Sequence, residues 1–299
     1  MPTLDRITIY PVKSLDGVTV DDAVFLPAGG IEHDRRWRLI DAEGRVINAK
    51  QEPLLLAIRA QVDVVAPAIR LAVDPQALAA AVLPGIERLE ALAAETFPLA
   101  PGPTGPCGWL EAALGRPVLI MERREGGFPD DRDAPGPTVV ATATLREVAR
   151  WFELDLDECR RRFRANLEIG DCEAFWEDAV ASPMPADGWT GDAARRLDDP
   201  AAEVPPPEPG GLWIGETALV AARVCRRCQV PTRDSRTGAV LPHFRDAFEA
   251  RRRHGLRPDV DAADWGDTYR LAINTVVTVP GVVGVSAEVQ PMARPGERR

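Results

Sequence analysis

Two cysteines three positions apart stand in the segment Val224-Cys225-Arg226-Arg227-Cys228-Gln229-Val230-Pro231-Thr232-Arg233-Asp234, which closes on Thr237-Gly238. A structural zinc site needs two further ligands at regular spacing. Cys159 and Cys172 have 12 residues between them, no second C-x-x-C exists, and His243 and His254 are not paired as in a finger. A thioredoxin-type pair opens a helix inside a βαβ unit, whereas Pro231 leaves no room for a long helix here. Arg226, Arg227 and Arg233 place positive charge beside the thiols, which suits a thiolate or an anionic ligand. Spacing alone leaves two readings: one thiolate acting on a soft metal, or two buried cysteines at a strand end.

Three other groupings carry polar chemistry. Lys13-Ser14 follows Ile9-Tyr10-Pro11-Val12, and an ammonium beside a hydroxyl on a turn suits a phosphate oxygen. The plain alternative is an exposed surface lysine. His33-Asp34-Arg35-Arg36-Trp37 reads as a strand with salt-bridged charges or as an arginine presented to phosphate. In Arg162-Phe163-Arg164-Ala165-Asn166-Leu167, Arg164 and Asn166 are two apart. On a strand they share a face, where a guanidinium and a carboxamide form an oxyanion or pterin-edge clamp, or simply a solvated face. Asn274 lies within the apolar run Leu271-Ala272-Ile273-Asn274-Thr275-Val276 and needs a hydrogen-bond partner there.

Composition narrows the chemistry. The chain has 299 residues, 45% of them hydrophobic, and a formal net charge of -10. That balance argues against a general nucleic-acid binder. No uninterrupted apolar stretch is long enough to span a bilayer, and Met1–Ser14 has no apolar signal core, so no membrane association and a soluble cytoplasmic protein are expected. Of 36 basic residues only Lys13 and Lys50 are lysine. Schiff-base chemistry is therefore confined to those two positions, and a lysine among arginines suggests a place where a compact ammonium is wanted. Five cysteines, an odd number, argue against a disulfide framework.

The elements that must position these groups are mostly strands. Alternating or short apolar runs predict strands at 6–12, 21–26, 35–41, 45–47, 55–62, 68–73 and 118–122, with a hairpin turn at 41–45. The stretch 75–94 holds a short helix broken by Pro84-Gly85, and another short helix is expected near 110–114. Residues 124–137, rich in Gly, Pro and Asp, mark a boundary. Beyond it come a strand at 139–141, a capping box Thr144-Leu145-Arg146-Glu147 opening a helix to about residue 152, and a strand at 164–169. A proline- and alanine-rich loop insertion follows at 181–211. Strands then resume at 212–214 and 218–224, a charged helix covers about 244–253, and two valine-rich strands cover 271–279 and 282–289. The sum is mainly β with a few helices (α+β), closer to barrel architectures than to a doubly wound sheet.

Taken together, Tyr10-Pro11-Val12-Lys13-Ser14, Asp34-Arg35-Arg36-Trp37, Lys50-Gln51-Glu52-Pro53, Phe163-Arg164-Ala165-Asn166, Cys225-Arg226-Arg227-Cys228, Pro231-Thr232-Arg233-Asp234 and Thr237-Gly238 resemble MOSC proteins, the molybdenum-cofactor sulfurase C-terminal domain family. The order and rough spacing agree over nearly the whole chain. The arrangement is most similar to the mitochondrial amidoxime-reducing component and its bacterial relatives. The resemblance implies an N-terminal MOSC β-barrel domain over 1–123 and a MOSC-type β-barrel over 124–299, with the first strand able to pack against the second domain.

The resemblance also implies a cofactor, molybdenum bound by a pterin dithiolene, with Cys228 as the protein ligand to the metal. Thiolate softness suits that ion. Lys13, Ser14 and Arg35 would hold the cofactor's phosphate. Arg164, Asn166, Arg227 and Asn274 would contact the pterin or its phosphate, and Asp234 would shape or protonate the substrate site. An anionic cofactor in an acidic protein calls for a local basic pocket. Some relatives carry Thr-Ser where this chain has Ala134-Pro135, so no site residue is carried over there. Relatives often have proline where Ala165 stands, and a small or polar residue at Arg226.

Two functions follow from the resemblance. One is an oxidoreductase that reduces N-hydroxylated or N-oxide small molecules. With no C-x4-C-x2-C cluster spacing in the chain, its electrons would come from a separate donor of ferredoxin, flavoprotein or cytochrome type. The other is a molybdenum cofactor carrier or sulfur-transfer protein without its own redox turnover. Both lysines lie in the N-terminal motifs, which leaves no pyridoxal-phosphate desulfurase within these residues. A structural C-x-x-C zinc protein is a third reading, weakened by the missing second ligand pair.

Overall fold

The computed structural model describes residues 1–103, 105–181, 210–258, 260, 262 and 265–292. Most of the insertion expected at 181–211 lies outside the described residues. Strands dominate, with short helices between them, so the α+β class expected from the sequence is the observed one.

Among the described residues the largest sheet has eight strands. They are β1 (Thr3–Ile9), β2 (Val18–Val20), β10 (Val139–Ala141), β11 (Leu167–Gly170), β12 (Gly211–Ile214), β13 (Thr217–Arg226), β14 (Arg270–Val279) and β16 (Val289–Pro291). Their spatial order is β16-β12-β13-β14-β10-β11-β1-β2. All neighbours are antiparallel except β10 and β11. That parallel pair is joined through two helices, as a parallel connection requires. Two further strands, β3 (Asp22–Phe25) and β15 (Gly281–Gly284), pair with each other. The first and third strands of the chain therefore pair with strands drawn from residues 124–299.

Between them lies a second body of strands. β4 (Trp37–Ile40) pairs with β5 (Val46–Ile47) and β9 (Leu119–Glu122). β6 (Ile58–Asp63), β7 (Ala68–Val73) and β8 (Glu95–Pro98) form another antiparallel sheet. Their inward residues, with those of α1 (Pro75–Ala80) and α2 (Cys107–Leu114), build one core around Trp37, Leu39, Ile58, Leu71 and Ile120. A separate core under the eight-stranded sheet gathers Leu4, Ile7, Leu167, Leu219 and Ile273. In the first cluster β6 alternates inward with outward side chains, as a half-buried strand does, whereas β10, β11 and much of β13 and β14 are buried on both faces.

Three helices cover the far side of the large sheet: α3 (Thr142–Trp151), α4 (Leu156–Phe163) and α6 (Phe244–His254), with the short α5 (Trp176–Val180) beside them. Phe163, Phe244, Phe248 and Tyr269 meet there, Phe248 lying edge-on to Tyr269 with ring centroids 5.3 Å apart. Two local expectations are corrected. The helix expected to open at a Thr144–Glu147 capping box begins earlier, directly off β10, and Ala141 at its N-cap makes no side-chain cap. Thr144 instead turns inward: its hydroxyl accepts from the Phe175 amide at 2.6 Å and donates to Glu177 Oε2 at 3.0 Å. A buried tertiary partner outcompetes the local cap.

The strand expected at 164–169 starts only at Leu167. Residues 156–163 are helical, capped by Asp155, whose carboxylate accepts from the Glu158 amide at 2.6 Å. Arg164 ends that helix in the left-handed conformation. Arg164 and Asn166 therefore do not share a strand face.

Candidate functional site

Tyr10 to Lys13 run beside Arg35 to Trp37. Arg35 N donates to Tyr10 O at 2.8 Å, Trp37 N to Pro11 O at 2.9 Å and Lys13 N to Trp37 O at 2.8 Å. This pairing brings Lys13 and Arg35 to one place although their sequence neighbours differ. Arg35 O accepts from Phe128 N at 2.8 Å, which lays the 126–130 loop across both. Gly127 (φ +58) makes that approach possible, since a Cβ there would lie 2.4 Å from Asp34 O.

A cavity of about 1200 Å³ opens beside these residues. Lys13, Ser14, Arg35, Arg164, Arg227, Cys228 and Asn274, all singled out by the sequence, line it, and so does Cys225. Twelve cationic side chains face it against five carboxylates. The cavity is thus locally basic in a chain of net charge -10, as expected for an anionic ligand. Ser14 (φ 75), Arg35 (φ 49) and Arg164 (φ 52) all sit in left-handed backbone. That region costs a non-glycine residue roughly 1 kcal/mol or more, and such residues concentrate at functional sites.

Lys13 Nζ lies 2.8 Å from Asp130 Oδ1 and donates to the carbonyls of Phe128 (3.2 Å) and Pro129 (3.5 Å). Arg35 pairs with Asp34 and reaches Asp130 Oδ2 at 3.3 Å. Burial favours the neutral form of Asp130, but Arg35 and Lys13 overcome it and hold its pKa well below the usual carboxylate range. The Ser14 hydroxyl accepts from Ala49 N at 3.2 Å. Arg164 stacks on the Tyr10 ring at 4.1 Å.

On the opposite wall, β13 carries the cysteine motif. The pairing of β13 with β14 shifts register between Val224 and Arg226, a bulge that re-aims the side chain at Cys225. Arg227 Nη1 donates to Cys225 Sγ at 3.3 Å, and its Nη2 donates to Phe163 O. Burial opposes the Arg227 charge, yet Cys225, Cys228 and Tyr269 beside it raise its pKa. Asn274 Nδ2 donates to Asp131 Oδ2 at 2.8 Å, and Arg223 pairs with the same carboxylate. Gln229 Nε2 donates to Lys50 O at 2.6 Å, tying the cysteine loop to the N-terminal half.

Two expected site residues do not line the cavity. Asn166, 1% exposed, is spent on protein partners. Its Nδ2 donates to Thr8 O (3.0 Å) and Asp34 Oδ1 (3.1 Å), and its Oδ1 accepts from Thr138 N (3.1 Å) and Arg35 Nη1 (3.3 Å). The last of these bonds ties it to Arg35. Asp234 closes its own loop: Oδ1 accepts from Arg236 N (3.0 Å), Thr237 N (2.8 Å) and the Thr237 hydroxyl (2.9 Å). Those bonds hold its pKa low against burial. The Pro231-to-Gly238 part of the motif thus acts as a structural turn behind the cysteines.

Residues 1–88 match the MOSC N-terminal beta barrel domain. This N-terminal part is similar to MOSC proteins. Molybdenum cofactor sulfurase of Danio rerio is 26% identical over 267 residues, 79% of this chain and 28% of that protein. Mitochondrial amidoxime-reducing component 1 of Homo sapiens is 42% identical over 59 residues, 19% of this chain and 18% of that one. This chain therefore spans under a third of the length of these curated relatives. The YUAD protein of Bacillus subtilis aligns over 97% of this chain and 94% of its own at a TM-score of 0.34 and 12% identity, too distant to define a shared fold.

Other residues line or adjoin the site without any local sequence signal. Tyr269 is buried, and its carbonyl accepts from Arg227 N at 2.9 Å; among the described residues its hydroxyl has no hydrogen-bond partner, and burial raises its pKa. Arg162 is buried in the cavity wall, its Nη1 unpartnered among the described residues. Arg227 Nε is likewise unpartnered. No motif singled out Tyr269, since a tyrosine before a strand is ordinary. Among the described residues no three of His, Cys, Asp or Glu gather as a metal cluster, so no third or fourth protein ligand for a zinc ion adjoins the cysteines there. No helix among them is long and apolar enough to cross a membrane.

Proposed function

We propose that the cavity binds molybdenum cofactor, that Cys228 ligates the metal, and that the chain is an oxidoreductase for N-hydroxylated or N-oxide small molecules. Cys228 opens onto the same cavity as Lys13 and Arg35, and that juxtaposition supports the reading most directly. One wall offers a soft ligand and the other a compact cation beside an arginine. This is the donor set that a thiolate-bound metal with an anionic tail calls for. Among the described residues Arg227 Nε and Arg162 Nη1, both on cavity-lining arginines, are buried donors without an acceptor, and they fit the same group.

Lys13, Ser14 and Arg35 would hold the phosphate, with Asn166 keeping Arg35 in place. Arg164, Arg227 and Asn274 would hold the remainder, and Asp234 would support the cysteine loop from behind. When bound, the cofactor supplies a metal that changes oxidation state and accepts oxygen. The protein's part is to bind, orient and neutralise. Electrons would come from a separate ferredoxin, flavoprotein or cytochrome. The proposed division of the chain falls at 123/124, just after β9.

The extended match to a protein named molybdenum cofactor sulfurase favours a second reading, a cofactor carrier or sulfur-transfer protein without redox turnover. One experiment separates the two. The protein is expressed in a host that makes molybdenum cofactor, bound metals are quantified, and reduction of a simple amidoxime is followed with a reduced dye. Stoichiometric molybdenum with turnover supports the oxidoreductase, and molybdenum without turnover supports the carrier. Stoichiometric zinc in place of molybdenum overturns both. Cys228→Ser should lose the metal, and Cys225→Ser should keep it.

A further inference from the structure

At the edge of the cavity the fold leaves a group of like charges uncompensated. Arg38 on β4 lays its guanidinium over the Phe128 ring at 4.2 Å and donates to Met121 Sδ at 3.2 Å. Burial and then two charged neighbours, Arg132 and Arg123, lower its pKa, and no carboxylate offsets them. Among the described residues Arg38, Arg123 and Arg132 make no ion pair. Several nearby carboxylates are already committed: Glu122 to Arg36 and Arg124, Asp130 to Lys13 and Arg35, and Asp131 and Asp133 to Arg223. The exposed Glu125 is the nearest acidic residue along the chain without such a pair.

This patch adjoins the site. Arg132 lies on the cavity rim. Phe128 carries Arg38 on its ring while its carbonyl accepts from Lys13 Nζ, so the 126–130 loop joins the cavity to the arginines beside it. Three unneutralised like charges repel one another, and an acidic partner would relieve that repulsion. The chain's net charge of -10 repels an acidic protein elsewhere, so a local basic face would steer it to this spot.

We propose that the Arg38–Arg123–Arg132 face docks an acidic electron-donor protein, a one-electron carrier whose redox group is ringed by carboxylates. This rests on the oxidoreductase reading, which requires such a donor. Reducing one N–O bond takes two electrons and two protons and releases water, so a one-electron carrier must deliver twice. A weak, fast, salt-sensitive contact serves that exchange better than a tight one.

Binding tests the face independently of turnover. The full chain is titrated with an acidic plant-type [2Fe–2S] ferredoxin by calorimetry. The wild type should bind, and affinity should fall at least tenfold between roughly 20 and 200 mM salt as screening shortens. Arg123→Glu/Arg132→Glu should weaken low-salt binding by about tenfold or more. Absence of wild-type binding, or equal binding by both proteins, overturns the proposal. So does capture of the chain by phosphatidylserine vesicles without ferredoxin binding. With cofactor-loaded protein, Arg123→Glu should slow ferredoxin-driven reduction while dye-driven reduction stays within about twofold. A wild type inert with the dye would sink the oxidoreductase reading, while the binding comparison would still decide whether this face docks an acidic protein.

Discussion

Arg164 lies over the ring of Tyr10, guanidinium carbon to ring centroid 4.1 Å, and among the described residues it has no carboxylate partner. Burial lowers its pKa and nearby Arg35 acts in the same direction. The aromatic face holds the cation in place without neutralising it. Most other cavity arginines have their charge committed to acids or carbonyls. Arg164 is presented bare to the cavity.

Arg164→Gly should therefore separate binding from folding. Residue 164 caps α4 at φ 52, where glycine is the preferred residue. The melting temperature should hold or rise slightly. Molybdenum retained through gel filtration should fall at least about tenfold, reflecting loss of a charge-assisted contact. Retention equal to wild type would remove Arg164 from the binding set.

Asp130 occupies the cations that an incoming phosphate would use, at 2.8 Å from Lys13 and 3.3 Å from Arg35. Asp130→Asn should free both. Inorganic phosphate should then bind the cofactor-free protein about three- to tenfold more tightly by calorimetry. Weaker binding would show that Asp130 instead holds Lys13 and Arg35 in position.

Glu158 anchors the turn behind the cysteine loop. Its Oε1 accepts from Arg162 Nε (2.6 Å) and Ser235 N (2.9 Å), and its Oε2 accepts from Arg161 (3.1 Å) and the Ser235 hydroxyl. Glu158→Gln leaves the Arg162 charge buried with only Asp234, at 3.6 Å, to answer it. A loss on the order of 3 kcal/mol is expected in urea unfolding. Burial opposes the Glu158 charge, but Ser235 and Arg162 hold its pKa below normal. Its stabilisation is thus present at neutral pH and lost as pH falls through that lowered pKa. Stability of the variant should depend less on pH in acid.

Glu177 behaves in the opposite sense. Burial first, then Asp178, raises its pKa to about 8. Oε2 accepts from Ala141 N (3.2 Å) and the Thr144 hydroxyl (3.0 Å), while Oε1 has no partner. The folded protein holds a proton that the unfolded chain releases near pH 4.5, so stability falls as pH rises from there through about 8. Glu177→Gln mimics the protonated form. Melting temperatures between pH 6 and 9 should decline less in this variant than in wild type. Parallel declines would show that Glu177 is ionised throughout.

The sequence by itself determined what depends on neighbours along the chain. The alternation in Ala68–Val73 and the apolar run Val139–Ala141 are observed as strands with those bounds. The scarcity of lysine pointed at Lys13, and the cysteine spacing pointed at Cys225 and Cys228. All three line one cavity. Only the tertiary structure decided the rest. It made Arg164 a left-handed cap rather than a strand residue, because a buried face containing Cys159 and Phe163 favoured a helix ahead of it. It bonded Asn166 to Arg35 and Asp234 to its own loop, placed Asp130 between Lys13 and Arg35, and buried Tyr269 against Arg227. The relations of Asn166 and Asp130 join segments about a hundred or more residues apart, 131 between Asn166 and Arg35 for one. Local periodicity carries no record of such distances. They arise when strand pairing and core burial fix which distant backbones lie side by side.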